Sequence, residues 1–171
     1  MHKKRIQLTL FIDEKEAEAI EKIRKEFNPK QYELIKSHVT LCREDELDQI
    51  EKVILNAEKL NLDGIIINFG EPVRFLNGKG VLIMAAGNNK PFQELRKKIL
   101  HGTTLSVTTH QPHITLMHPR NSTCTDAIFK QIAAHHFPHK IKFSKITLIE
   151  QEAGMKWNIL KEFDLRYEKG N

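Results

Sequence analysis

Two tetrapeptides of one kind, His38-Val39-Thr40-Leu41 and His113-Ile114-Thr115-Leu116, stand 75 residues apart in this 171-residue chain. In a β-strand, residues i and i+2 point to the same face. His38 and Thr40 would therefore project together, as would His113 and Thr115, while Val39, Leu41, Ile114 and Leu116 anchor the opposite face in apolar packing. Two imidazoles brought to one site suit phosphodiester cleavage, which needs a base for the attacking oxygen and an acid for the departing one. The threonine hydroxyls can donate to non-bridging phosphate oxygens as charge builds in the transition state. No metal or other cofactor is required, because histidine titrates near working pH in both roles. A single His-x-Thr in a strand is ordinarily structural. A His-apolar-Thr-Leu match is expected by chance roughly 0.02 times, so two in corresponding places argue for a function.

The elements that must position these residues follow from periodicity. Arg5 to Asp13 reads as a strand, and Asp13 with Glu16 as the capping box of a helix running to Phe27, ended by Asn28-Pro29. His38 to Arg43 reads as a strand, Asp45 to Leu60 as an amphipathic helix, and Gly64 to Phe69, extended through Phe75, as a third strand before an Asn77-Gly78 turn. The pattern then restarts: a strand at Val81 to Ala86, a helix at Pro91 to His101, a strand at His113 to Met117, a helix at Cys124 to His135. Lys140 to Gln151 and Met155 to Leu165 read as a closing hairpin. A shift of 75 residues lays strand on strand and His38 on His113, a repeat of pattern more than of identity. The expected fold class is α+β and bilobal: two pseudo-symmetric βαβαβ-type lobes with antiparallel-rich sheets facing a central cleft and helices outside. One domain, 1–171, would divide near residue 78 into lobe one (1–78) and lobe two (79–171), with terminal strands free to exchange between lobes.

The paired tetrapeptides resemble those of the two-histidine (2H) phosphoesterase superfamily, which includes the 2′-5′ RNA ligase-like proteins and cyclic nucleotide phosphodiesterases. The resemblance spans nearly the whole chain. It includes the proline-preceded second motif Gln111-Pro112-His113 and the terminal segment Ile146–Glu150 to Trp157–Leu160. It implies His38 and His113 as acid/base catalysts and Thr40 and Thr115 as phosphate ligands. It implies further a 2′,3′-cyclic phosphate of a nucleotide or RNA end as substrate, a 2′-phosphate as product, and 2′-5′ ligation as the reverse reaction. ADP-ribose cyclic phosphate and 2′-5′ oligoadenylate are alternative substrates, and a nucleotide- or RNA-binding module without turnover is the rival from another class. Ligase-like members often carry an arginine just after the second motif, where this chain has Met117-His118-Pro119-Arg120. His118 and Arg120 are therefore weaker candidates for phosphate contact. So is Arg43, which strand parity points away from Thr40 unless the strand ends there.

Composition narrows the rest. Net charge is +5, the isoelectric point near 9.2, and 40% of residues are hydrophobic. That profile suits a globular protein with an anionic partner. The apolar runs are too short for a membrane span, and the segment after Lys3-Lys4-Arg5 is too polar for a signal peptide, so a cytoplasmic monomer is expected. Lys3, Lys4 and Arg5 read as a solvated terminus. Cys42 reads as a buried apolar residue. Phe11, Phe75 and Trp157 are candidates to stack on a base. His135, His136 and His139 match no metal-ligand spacing, so the expected metal set is none. His101 and His110 flank a polar run, Gly102 to Thr109, from which they could line the cleft rim, with a solvent-exposed position the expected one.

Overall fold

In a computed structural model of the chain, residues 4–104 and 107–165 are described. Lys3 and part of the 102–109 run fall outside them. Among the described residues the fold is α+β, with eight antiparallel strands in the order β6-β3-β4-β5-β2-β1-β7-β8. These are β1 (Lys4–Phe11), β2 (His38–Cys42), β3 (Ile65–Phe75), β4 (Gly80–Ala85), β5 (His113–Met117), β6 (Lys140–Phe143), β7 (Lys145–Glu152) and β8 (Asn158–Asp164). The helices that accompany them are α1 (Glu14–Phe27), α2 (Pro29–Leu34), α3 (Ile50–Glu58), α4 (Lys90–Ile99) and α5 (Asp126–Ala133). Among the described residues no helix is long and apolar enough to cross a membrane.

The two histidine-bearing strands meet at the middle of the sheet, where Val39 pairs with Ile114. Outward from this seam the order is β1, β7, β8 on one side and β4, β3, β6 on the other. Elements 75 residues apart take corresponding places, β1 with β4 and β2 with β5. The strands do not stay with the half of the sequence that contains them. β3 from the first half pairs β4 and β6, and β7 from the second half lies beside β1 with β8 outside it.

Strand alternation sets the two faces. Leu8 and Leu10 of β1, Val39 and Leu41 of β2, and Ile114 and Leu116 of β5 are completely buried. They join Ile20 and Ile23 of α1 and Phe92, Leu95 and Ile99 of α4 in one core. Burying each such side chain contributes about 1.5–3 kcal/mol, so the four residues interleaved with the histidines and threonines fix which face those polar side chains occupy.

Several expected boundaries shift, each for a local reason. Asn28-Pro29 ends α1 as expected, but Pro29, which suits a first helical turn, starts α2 at once, so the chain turns a corner where a plain stop was expected. Asp13 occupies the N-cap of α1 without a side-chain cap bond. The helix expected from Asp45 is a 3₁₀ turn over Glu44–Glu46 followed by the shorter α3. The long strand expected from Lys140 is broken at Ser144 into β6 and β7, which lie far apart in the sheet. The expected closing hairpin is β7–β8, and its turn carries Ala153 and Gly154 with φ of 43° and 79°.

Candidate active site

The cleft-facing sides of β1, β2 and β5, with α2 and the segments that follow the two motifs, enclose a space of about 1480 Å³. His38, Thr40, His113 and Thr115 all line it. Because β2 and β5 are antiparallel with Val39 opposite Ile114, the register places His38 beside Thr115 and Thr40 beside His113. The two histidines then lie on a diagonal of roughly 7–8 Å between α-carbons. Each motif supplies half of a compact quartet.

The imidazoles are held in the same way. His38 Nδ1 lies 2.8 Å from the Lys36 carbonyl oxygen, and His113 Nδ1 lies 3.0 Å from the Gln111 carbonyl oxygen. A carbonyl can only accept, so in both rings Nδ1–H donates and Nε2 is left to take or give a proton. Phe11 of β1 packs edge-on against the His38 ring at 6.1 Å. Burial pushes the His38 pKa down to about 4. Arg24 and His113 add to that direction, and the Lys36 carbonyl opposes it. His38 is therefore neutral at physiological pH, the form that can accept a proton.

Thr40 is restrained from β1. Gln7 Nε2 donates to Thr40 Oγ1 at 3.2 Å and to Thr9 Oγ1 at 2.7 Å. With its oxygen engaged as an acceptor, the Thr40 hydroxyl proton is free to point into the cleft. In the other half Leu82 lies opposite Thr115, so the amide restraint has no counterpart at the corresponding position. Nothing local in the sequence marks Gln7; it matters because β1 pairs with β2 through Thr9 and Thr40.

Arg43 lines the cleft, against the parity expectation, because β2 ends at Cys42 and Arg43 starts the 3₁₀ turn. Its Nη2 donates to His110 Nδ1 at 3.2 Å. His110 is buried, against the expected surface position, and its ring stands 6.0 Å from His113. Its pKa is pushed down to about 4 by burial, with Arg43, Arg96 and His113 adding to the effect. His118 and Arg120 line the cleft at the far end of β5. Arg120 N–H donates to His118 Nδ1 at 3.1 Å, and burial, Arg120 and Arg5 lower the His118 pKa. The turn that bears them is held by Asn28, whose Oδ1 accepts from His118 N–H at 2.7 Å.

Of the three aromatic candidates, Phe75 and Trp157 line the cleft, whereas Phe11 is committed to the His38 ring. The Arg5 guanidinium lies 5.5 Å from the Trp157 ring centroid and bonds to Glu44 at 3.1 Å, so Arg5 is a cleft residue and no solvated terminus. Lys4 pairs with Glu150 at 3.1 Å.

Cys42 is completely buried, and burial pushes its thiol up to about 12, which leaves it inert as a nucleophile. Among the described residues no group of three or more His, Cys, Asp or Glu side chains could hold a metal ion. His135 and His139 each bond a backbone carbonyl, of Gln131 and Phe69 respectively.

No curated protein matches the chain significantly by sequence. Among solved structures, Escherichia coli LigT complexed with 3′-AMP superposes with a TM-score of 0.66 at 17% identity, over 95% of this chain and 98% of that one. A crystal structure described as a phosphoesterase gives 0.66 at 15%, over 96% and 99%. TT0787 of Thermus thermophilus gives 0.61 at 17%, also over 96% and 99%. These likenesses establish the fold. The family model of the 2′-5′ RNA ligase superfamily matches residues 12–155, a span that contains both histidine motifs and most of the strands that bring them together. The chain belongs to the 2′-5′ RNA ligase superfamily.

Proposed function

We propose that the chain is a metal-independent phosphodiesterase that opens the 2′,3′-cyclic phosphate of a nucleotide or an RNA end. The observation that carries this reading is the identical restraint of His38 and His113, each Nδ1 on the carbonyl two residues before it. It leaves two Nε2 atoms for one cleft. His38, held neutral, takes a proton from water as the water oxygen bonds to phosphorus. The bond from phosphorus to the ribose 3′ oxygen breaks, and His113 protonates that oxygen. A 2′-phosphomonoester remains. Thr40 and Thr115 donate to the non-bridging oxygens. Arg43, His118 and Arg120 extend positive and donor character along the cleft and suit further substrate phosphates. Phe75 and Trp157 suit a base. If the 5′ hydroxyl of a second strand takes the place of water, the same proton transfers give a 2′-5′ linkage. On this reading the chain is a single domain of two pseudo-symmetric lobes facing each other across the cleft. LigT has been crystallised with 3′-AMP, ATP, NADP+ and phosphate, which supports a nucleotide as ligand here.

The test incubates EDTA-treated protein with 2′,3′-cyclic nucleotides and with an oligonucleotide ending in a cyclic phosphate, and identifies the product. Release of a 2′-phosphate is expected. Binding without turnover would favour the module reading, and a requirement for added zinc or magnesium would overturn the metal-independent one.

The Gln7 amide yields a smaller expected effect. Gln7→Leu places an apolar group like Leu82 beside Thr40 and frees the hydroxyl from its restraint. Loss of the amide's bonds to Thr40 and Thr9, each worth about 0.5–1.5 kcal/mol, should lower kcat/KM by roughly three- to tenfold, read under the same assay, and lower the unfolding midpoint modestly.

A further inference from the structure

The two imidazoles are held by matching carbonyls, but the peptide groups that own those carbonyls differ. The Lys36 carbonyl that accepts from His38 belongs to the Lys36–Ser37 peptide, whose N–H is on Ser37. That N–H donates to Glu21 Oε1. A carboxylate, a peptide group and an imidazole thus form one continuous chain of hydrogen bonds. The Gln111 carbonyl that accepts from His113 belongs to the Gln111–Pro112 peptide, which has no N–H, so no such chain can reach His113.

Glu21 is firmly placed for this task. Both its carboxylate oxygens accept from Arg24 Nη1, at 2.8 and 2.9 Å, and Arg24 is buried on the same face of α1. Arg24 Nη2 donates to the Ile35 carbonyl at 2.7 Å. The ion pair therefore grips the backbone on both sides of Lys36. Neither residue is used by the acid/base chemistry above.

Hydrogen bonds in series polarise one another, and a negative charge at one end of a peptide increases the negative character of its carbonyl at the other. We infer that Glu21 is a positioning residue for His38, acting through the Lys36–Ser37 peptide to hold Nδ1–H and to make His38 Nε2 a better proton acceptor than symmetry with His113 would allow. The role resembles that of a carboxylate that orients a catalytic imidazole directly, with one peptide group interposed. The charged and titratable groups otherwise acting on His38 are Arg24 from α1 and His113 from β5, both of which oppose its protonation. β1 faces it with the uncharged Phe11. Glu21 offsets part of that opposition from the side of α1.

The catalytic meaning of this inference rests on the proposed acid/base reading, but its physical content can be measured in the free protein. Imidazole nitrogens and their protons are followed by NMR in the parent and in Glu21→Gln, which keeps an acceptor oxygen for Ser37 and removes the charge. In the parent the His38 Nδ1 proton should resonate downfield of the His113 Nδ1 proton. In Glu21→Gln it should move upfield, and the proton affinity of His38 should fall about tenfold, with His113 unmoved. At pH 4, where His38 in the parent is about half protonated, the variant should be about one-tenth protonated. With cyclic phosphate as substrate, the acid limb of kcat/KM should move to lower pH by the same factor, whereas a purely structural role for Glu21 would leave the limb in place. An unchanged His38 signal in folded Glu21→Gln would overturn the inference. So would coincident His38 and His113 Nδ1 protons in the parent, a comparison that needs no variant. Lack of turnover on any cyclic phosphate would overturn the proposed function and leave the titration result standing.

Discussion

Alanine at either His38 or His113 should lower kcat/KM on a 2′,3′-cyclic nucleotide by about 10²- to 10⁴-fold, the usual contribution of a positioned general acid or base. The double variant should lose little more than either single one, because in the proposed mechanism the two imidazoles share one proton-transfer sequence and their effects are not additive. Fold and stability should be spared. Both rings are partly buried at the cleft wall, and the apolar anchors beside them, Val39 and Ile114, stay in place. The pH dependence supplies an independent reading of the base. His38 is neutral above about pH 4 and gains a proton as the pH falls through that value. Its neutral, proton-accepting form is present at higher pH and lost at lower pH, so the acid limb of kcat/KM should fall near 4 instead of near the ordinary 6.5 of an exposed histidine. A limb near 6.5, or turnover that survives both alanine substitutions, would sink the assignment.

The largest effect on stability is expected at Arg96. This residue of α4 is fully buried among Phe92, Leu95 and Ile99, yet its guanidinium reaches three separate stretches of chain. It donates to the Leu41 carbonyl at the end of β2, to both carboxylate oxygens of Glu46 in the 3₁₀ turn, and to the Thr108 carbonyl at 3.1 Å, on the way into β5. The Arg96 guanidinium holds the Glu46 carboxyl below the usual carboxylate range, against the effect of burial. Arg96→Met would leave two carbonyls without this donor and the Glu46 carboxylate with the Arg43 N–H alone, and breaking a buried pair from one side costs about 3–5 kcal/mol. Urea unfolding should report a loss of that size. Arg96→Met with Glu46→Leu should recover part of it, since no unpaired charge then remains. A loss under about 1 kcal/mol in the single variant would show that the network is not a structural clamp.

The sequence makes the quartet legible because its information is local. Strand parity puts His38 with Thr40 and His113 with Thr115, and the repeat of pattern aligns β1 with β4 and β2 with β5 without knowledge of any pairing. The supports of the quartet are not local. Gln7 reaches Thr40 only through the β1–β2 register, and Glu21 reaches His38 only because α1 and α2 fold back over the approach to β2. His110 stands beside a polar run, so nothing nearby indicates burial. Its environment is set by Arg43, 67 positions away, and by Phe92 of α4. Arg43 is the clearest case of a rule reaching its limit: alternation predicts the face of a residue only while the strand lasts, and β2 ends one residue earlier. Ser144 is the converse. A continuous run of strand-forming residues holds no sign that β6 and β7 part company there, because the division is imposed by which neighbours are available in three dimensions.

At the seam between the two four-strand sets, a single residue pair, Val39 with Ile114, joins the strands that carry all four polar groups of the quartet, whereas β1 and β7 are matched over six consecutive pairs. The buried Arg96 guanidinium, bonded to the Leu41 carbonyl of β2 and to the Thr108 carbonyl on the way into β5, ties the two sides of this seam together. The spacing of the two imidazoles therefore depends on one buried side chain from outside the sheet as much as on the strand pair itself.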